Sequence, residues 1–514
     1  MEQNLFNQLD FCSKTSYSSF ISINAAKGLQ DVMRKNLGPK GTFKILVSAS
    51  GDIRLTKNGS LLLKEMQIQN PVALLIARYI SSQNNNCGDG ATSIVLILGE
   101  LFRHIEKYLE KNIHPQILCE GIDIGKRQLE QWLNTKIIKS KKKKLILFRI
   151  AKSIFETKLK ASSIDRISKI VVDAVLTIHK KKEISDLNLI EILQMEGQSE
   201  NDSRFVRGLV LDHGSRHPDM PKIMHNVFVL VCNISLEYEK SEINSSFTSL
   251  SCDQQEKQFN KERELIDKKI NKIIQLKRLV CKKGNKGFLV INQKGIDNIS
   301  LDLFCREGIL ALRRAKKKNM ERISILCNSI PVNSSDDIDS SILGFAGLVY
   351  EQIIGDEKYT FIENVSNPFS GTILIKGSNI FLRKNTEEVI KNGIKAVKMG
   401  IEDKCCLRGG GLVEYASFKF LSSYADIVSG GAKYGILSLA KALMIIPETL
   451  KQNGNENKKI IRGKLCSLPE KKSLFKGRVF DCFSTKKEIL RSVCTLANQI
   501  LLIDEILLGR GLER

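Results

Sequence analysis

Three glycine-rich turns carry the residues best suited to chemistry. Leu37-Gly38-Pro39-Lys40-Gly41 closes a helical pattern, Gly88-Asp89-Gly90-Ala91-Thr92 opens an apolar one, and Gly409-Gly410-Gly411 precedes Leu412-Val413-Glu414. Backbone amides at a helix start, with no side chain in the way, bind phosphate well. An Asp between two glycines, here Asp89, can reach a phosphate-bound Mg²⁺. Thr92 can donate its hydroxyl to a phosphate oxygen. Each turn taken singly also suits a helix cap or a tight turn, and none is a Walker sequence. His213 and His217 are four apart, but Gly214 lies between them and Pro218 follows, so they read as loop residues rather than a helical metal pair.

The turns need elements to hold them. Ile21, Ala25, Leu29, Val32 and Met33 recur at helical spacing and predict a helix over 18–37, stopped by Gly38-Pro39. Lys44 to Val47 and Ile53 to Thr56, around Ala49-Ser50-Gly51-Asp52, predict a hairpin. Pro71 opens a helix, and the apolar stretches Thr92 to Leu101 and Ala442 to Pro447 predict buried helices. A mixed helical stretch is expected to about residue 203. Short strands then alternate with helical patterns such as Leu301 to Ala315, as in an α/β domain. Ser241 to Arg278 reads as an insertion, a polar loop followed by a charged helix.

At 514 residues the chain predicts roughly three domains. Met1-Glu2-Gln3-Asn4 has no basic and apolar leader pattern, and no uncharged apolar run reaches about 18 residues, so neither a secretory signal nor a membrane span is expected. Thirteen Cys without a Cys-x-x-Cys pair fit reduced, packed thiols in a cytosolic compartment. The net charge of +24 favours anionic partners. Its lysines are spread along the chain, however, and the dense run at Lys139 and Lys141 to Lys144 reads as a solvated boundary loop. With one Trp and nine Tyr, base stacking has little to work with, so nucleic-acid binding is not expected.

Taken in order, the three turns resemble the nucleotide site of group II chaperonins. Asp212-His213-Gly214-Ser215-Arg216-His217-Pro218-Asp219-Met220, Ser235-Leu236-Glu237-Tyr238-Glu239-Lys240, Asn292-Gln293-Lys294-Gly295-Ile296-Asp297, Leu312-Arg313-Arg314-Ala315-Lys316 and Ile446-Pro447 are similar to the zeta subunits of the eukaryotic cytosolic chaperonin. The resemblance spans nearly the whole chain and fades at the N-terminus and over Asn453 to Lys476, where this chain is shorter. It implies a multidomain α/β fold: a helical equatorial ATP-binding domain (1–143 and 402–514), a small intermediate domain (144–205 and 366–401) and an α/β apical client-binding domain (206–365) whose 241–278 insertion forms a helical protrusion. It implies ATP and Mg²⁺ as cofactors. It implies a hetero-oligomeric double ring with other chaperonin subunits, the gamma and theta subunits beside this one. Unfolded cytosolic proteins such as actin and tubulin would be the clients, met by the basic residues Arg313, Arg314, Lys316, Lys317 and Lys318. The compartment it implies is cytoplasmic. The AT-rich residue usage and shortened chain would also suit the residual cytosol of a reduced eukaryotic endosymbiont.

The same resemblance assigns roles by position. Leu37, Gly38 and Pro39 would line the phosphates. Gly88, Asp89, Gly90, Ala91 and Thr92 would form the second loop, with Asp89 on Mg²⁺. Gly410 would sit near the ribose, Asp481 would bond a ribose hydroxyl, and Lys158 would sense the γ-phosphate, against the competing reading of a solvated helix-end lysine. Three positions depart from the family pattern. Its Thr-x-Asp-Gly motif is Thr56-Lys57-Asn58-Gly59, its second catalytic Asp falls on Asn392, and Ala91 replaces a Thr. No catalytic residue is therefore assigned, and the chain is expected to bind ATP but hydrolyse it weakly. Full turnover at this site, or action on nucleic acid outside a ring, are the competing readings. The retained equatorial motifs argue against the second.

Overall fold

The computed structural model describes residues 20–47, 51, 53–139, 143–179, 186–197, 202–237, 252–282, 286–454 and 479–504, with no side-chain description for 143 and 252–262. Most of the hairpin turn at 49–52, Lys141 and Lys142 of the lysine run, the polar half of the 241–278 insertion and most of 453–476 lie outside these residues. The chain divides into two compact units, 1–172 with 379–514, and 173–378. The segments 144–205 and 366–401 are each divided between the two units.

The first unit is mostly helical. Its helix Ala91–Leu109 has Ile94 to Leu98, Leu101, Phe102 and Ile105 buried. The helix is apolar on every face from Ile94 to Gly99, a stretch that has to be surrounded, while Glu100, Arg103 and Lys107 are less buried. It packs against Pro71–Cys87, Ala432–Leu443, Ile445–Gln452 and Phe483–Leu501. The start of Pro71–Cys87 follows from two residues. Pro71 supplies the first helical φ, and the Asn70 side-chain oxygen Oδ1 accepts from the Val72 and Ala73 backbone amides at 2.9 and 3.1 Å. Two helices meet at Gly121 and Gly435, where a Cβ on Gly121 would stand 2.1 Å from the Ala432 carbonyl oxygen. The predicted hairpin is present, with Lys44–Val47 antiparallel to Ile53–Thr56. The helix predicted over 18–37 runs over 20–34.

The second unit is built on sheets. Its six-stranded sheet has the order Gly208–Leu211, Glu357–Val365, Gly344–Ile354, Ile223–Cys232, Phe288–Asn292, Ile309–Leu312, and the last three strands are parallel. Every residue of Phe288–Asn292 and Ile309–Leu312 is buried, as parallel strands covered on both faces require. Two expectations are corrected here. The helix expected through Leu301 to Ala315 ends at Arg306; Gly308, at φ 64°, turns the chain into a strand. The expected helical stretch to residue 203 contains the strand Ile190–Glu196, parallel to Gly371–Gly377. Pairing with a strand so far along the chain overrides the local preference.

The basic cluster at Arg313 to Lys318 is partly neutralised. Arg313 donates to the Ile296 carbonyl at 2.9 Å, Arg314 stands 3.6 Å from Glu237, and Lys316 pairs with Asp212, while Arg314, Lys316, Lys317 and Lys318 all remain exposed. The hydrogen bond with the neighbouring His213, and then the Lys316 pairing, hold the Asp212 carboxyl far below the usual carboxylate range. His213 and His217 sit outside any helix, the latter 3.1 Å from Asp302.

Candidate functional site

A cavity of about 840 Å³ in the first unit gathers segments that are far apart in sequence. Leu37, Gly38, Pro39, Asp89, Gly90, Ala91, Thr92, Lys158, Gly410 and Asp481 all line it. So does Asn58. Gly88 and Asn392 do not: they pack on each other behind the wall, where a Cβ on Gly88 would meet the Asn392 carbonyl oxygen at 2.3 Å.

Local chemistry shapes each wall. Gly90, at φ 97°, caps the helix Ala91–Leu109. The left-handed backbone there is one that L side chains rarely adopt, and a Cβ would press on the Ile489 side chain at 2.7 Å, so glycine suits this turn against the Phe483–Leu501 helix. Gly411, at φ 83°, likewise caps Leu412–Ile427. Two helix N-termini with bare amides therefore stand at the cavity. Asp481 lies on a short strand, Phe480–Cys482, paired with Cys406–Arg408.

Charge in the cavity is mixed. Lys158 is 9% exposed and its Nζ stands 3.4 Å from the Asp89 carboxylate, so it is a buried site residue and not a solvated lysine. Asp89 itself is open to the cavity, with a side chain 42% exposed. Lys57 is buried, donates to the Pro39 carbonyl at 3.2 Å, and is pushed by burial down to about 8. Sequence reading passed over Lys57, although it adjoins Asn58. It also passed over Lys486, Glu414 and Glu156. Lys486 bonds Glu414 at 2.5 Å and Asp481 at 3.0 Å. Burial works to lower Lys486, but the two carboxylates outweigh it and raise it. Glu156 lines the cavity and is, with Asp89 and Asp481, one of its three carboxylates among the described residues.

The residues present fit a magnesium nucleotide. Five cationic side chains (Lys57, Arg149, Lys152, Lys158 and Lys486), two helix starts and an open carboxylate converge on a volume suited to a small ligand. Asn36, whose side-chain amide lies buried without a partner, lines the cavity and is available to a bound molecule. Of the acids near Asn58 and Asn392 in sequence, Glu388 does not line the cavity and two others are engaged elsewhere. Glu65 pairs with Arg54 at 3.0 Å, Glu387 pairs with Lys391, and neither lines the cavity.

Residues 29–510 match the TCP-1/cpn60 chaperonin family. The chain is 44% identical over 503 residues to the human T-complex protein 1 subunit zeta-2, covering 95% of this chain and 94% of that protein. It is 42% identical over 502 residues to the mouse T-complex protein 1 subunit zeta-2, with the same coverage.

Proposed function

The chain belongs to the TCP-1/cpn60 chaperonin family, and from that premise we propose that it is a ring subunit which holds Mg²⁺-ATP in the cavity between its glycine-rich turns and hydrolyses it weakly. The observation that carries this reading is the convergence of Leu37 to Pro39, Asp89 to Thr92, Gly410 and Asp481 on one cavity whose wall offers Asn58 where an acid would serve catalysis. Leu37, Gly38, Pro39 and the amides at Gly90 to Thr92 hold the phosphates. Asp89 holds magnesium, Lys158 sits beside it to meet the terminal phosphate, and Asp481 accepts from the ribose. The metal, when bound, neutralises phosphate charge. The chain's own residues bind and orient but lack, at Asn58, a group to take a proton from water.

The three-domain division belongs to the same proposal, with 1–143 and 402–514 equatorial, 144–205 and 366–401 intermediate, and 206–365 apical. So do a cytosolic double ring of unlike subunits, gamma and theta as neighbours, and unfolded clients such as actin and tubulin. Purifying the native complex and identifying its subunits tests the assembly: a free monomer, or a ring with no other chaperonin subunit, would defeat it. Equilibrium binding tests the site. Wild-type chain should bind Mg²⁺-ATP, and Asp89→Ala should weaken it roughly tenfold or more, the loss of a charged contact. Equal binding by both proteins would remove the magnesium role.

Lys57 makes the affinity depend on pH. In the empty site burial favours its neutral form above about 8. A phosphate anion favours the charged form, so binding takes up a proton, and affinity must fall as pH rises through 8. Calorimetric titration at pH 7, 8 and 9 should show this decline in wild type and a flatter profile in Lys57→Arg, which stays charged. Parallel profiles for the two proteins would show that Lys57 does not face the phosphates.

A further inference from the structure

Lys486, Glu414 and Asp481 form an ion network that ties the helix after the glycine triplet to the Phe480–Leu501 stretch, whose Asp481 and Lys486 line the cavity. Glu414 lies in the first turn of Leu412–Ile427, directly after the glycine triplet. Asp481 lies on the strand Phe480–Cys482, and Lys486 in the first turns of Phe483–Leu501. Side-chain exposure is 7% for Glu414, 16% for Lys486 and 26% for Asp481. Lys486 Nζ takes Glu414 Oε1 at 2.5 Å and Asp481 Oδ2 at 3.0 Å. The second Glu414 oxygen is buried and has no partner. At Gly409 a Cβ would stand 2.8 Å from Asp481 Oδ1, so glycine there gives that oxygen room.

The network divides the two oxygens of Asp481. We infer that Lys486 is a positioning residue for nucleoside recognition: it clamps Asp481 Oδ2 and ties the carboxylate to the glycine-triplet helix through Glu414, leaving Oδ1 to accept from a ribose hydroxyl. This rests on the nucleotide reading above. Without the ammonium, two carboxylates would share one largely buried site, and neither would hold its place or its charge. A carboxylate that must reorganise to meet the sugar loses the benefit of being held ready.

The inference predicts a loss of sugar discrimination rather than a general loss of binding. Full-length wild-type chain is titrated with Mg²⁺-ATP and with Mg²⁺-2′,3′-dideoxy-ATP, which lacks both ribose hydroxyls. Wild type should prefer ATP by about tenfold or more, as befits a hydrogen bond to a charged acceptor. In Lys486→Met the preference should fall toward one, through weaker ATP binding, with dideoxy-ATP affinity little changed. Lys486→Arg, which keeps the charge, should retain most of the preference. Glu414→Gln combined with Lys486→Met keeps the net charge of the site and should lose the preference equally, which covers poor folding of the single variant. If either Met-bearing variant loses affinity for both nucleotides by the same factor, or keeps the wild-type preference, the network is only structural and the inference fails. Wild type that binds both nucleotides equally also overturns it while leaving the ATP site standing. Wild type that binds neither overturns the ATP site itself.

Discussion

Asn58→Asp is expected to raise single-turnover ATP hydrolysis by this subunit about 10²-fold or more. Asn58 is 6% exposed and lines the cavity. Its Oδ1 accepts from the Ser60 hydroxyl at 3.2 Å, and its backbone N–H donates to Thr56 Oγ1 at 3.0 Å. An aspartate of the same shape can therefore occupy the same place, changing charge and proton affinity but little else. A group that aligns water against the terminal phosphate and takes its proton contributes about 10²–10⁴-fold. Asn392 is also buried but does not line the cavity, so Asn392→Asp alone should add less. The two changes together should not multiply if they act on one water. The measurement needs assembled rings whose other sites are disabled. Glu156 supplies the control, because it is a carboxylate already at the cavity. If wild type turns over as fast as Asn58→Asp, and Glu156→Gln abolishes that turnover, the site has a working acid and the weak-hydrolysis reading is wrong.

What could be read from sequence was local. Asn70 and Pro71 announce a helix start by their own chemistry, and the apolar run after Thr92 announces burial by having no polar face. The glycines announce tight turns, and Gly38, Gly88, Gly90, Gly410 and Gly411 all have positive φ. The grouping of those turns into one cavity came from resemblance, since nothing in the spacing of Leu37, Asp89, Lys158 and Asp481 says that they meet. Contacts between distant segments were not legible. The Lys486–Glu414 bond spans 72 positions, and neither residue stands out beside other charged residues on amphipathic helices. Lys57 was hidden for a different reason. A lysine next to a turn ordinarily points to water, and only the folded chain buries it against Pro39. The strand Ile190–Glu196 was missed because Ile190-Glu191-Ile192-Leu193 suits a helix or a strand equally until Gly371–Gly377 pairs with it.

The family resemblance makes Gly88 a contact to the nucleotide, but its placement off the cavity gives it another task. It caps the helix Pro71–Cys87 at φ 74°, and its amide donates to the Asn84 carbonyl at 2.8 Å. A Cβ would stand 2.3 Å from the Asn392 carbonyl oxygen and 2.9 Å from Lys395 Cβ. The first of these is backbone and cannot swing aside. Gly88→Ala should therefore cost about 1–2 kcal/mol for the left-handed conformation and about 1–3 kcal/mol for the forced separation of the two segments. Asp89 follows immediately, so the carboxylate assigned to magnesium must move with the turn. The expected result is a thermal midpoint several degrees lower together with Mg²⁺-ATP affinity reduced roughly tenfold or more. Gly28→Ala is the matched comparison. It lies within the 20–34 helix with nothing within 4 Å of the added Cβ, and should stabilise by about 0.5–1 kcal/mol. The two effects separate the roles that Gly88 could have. A ligand-contacting glycine would lose affinity on substitution and keep its stability, whereas a glycine that lets two segments touch must lose both. Gly88→Ala with a wild-type midpoint would place Gly88 at the nucleotide after all.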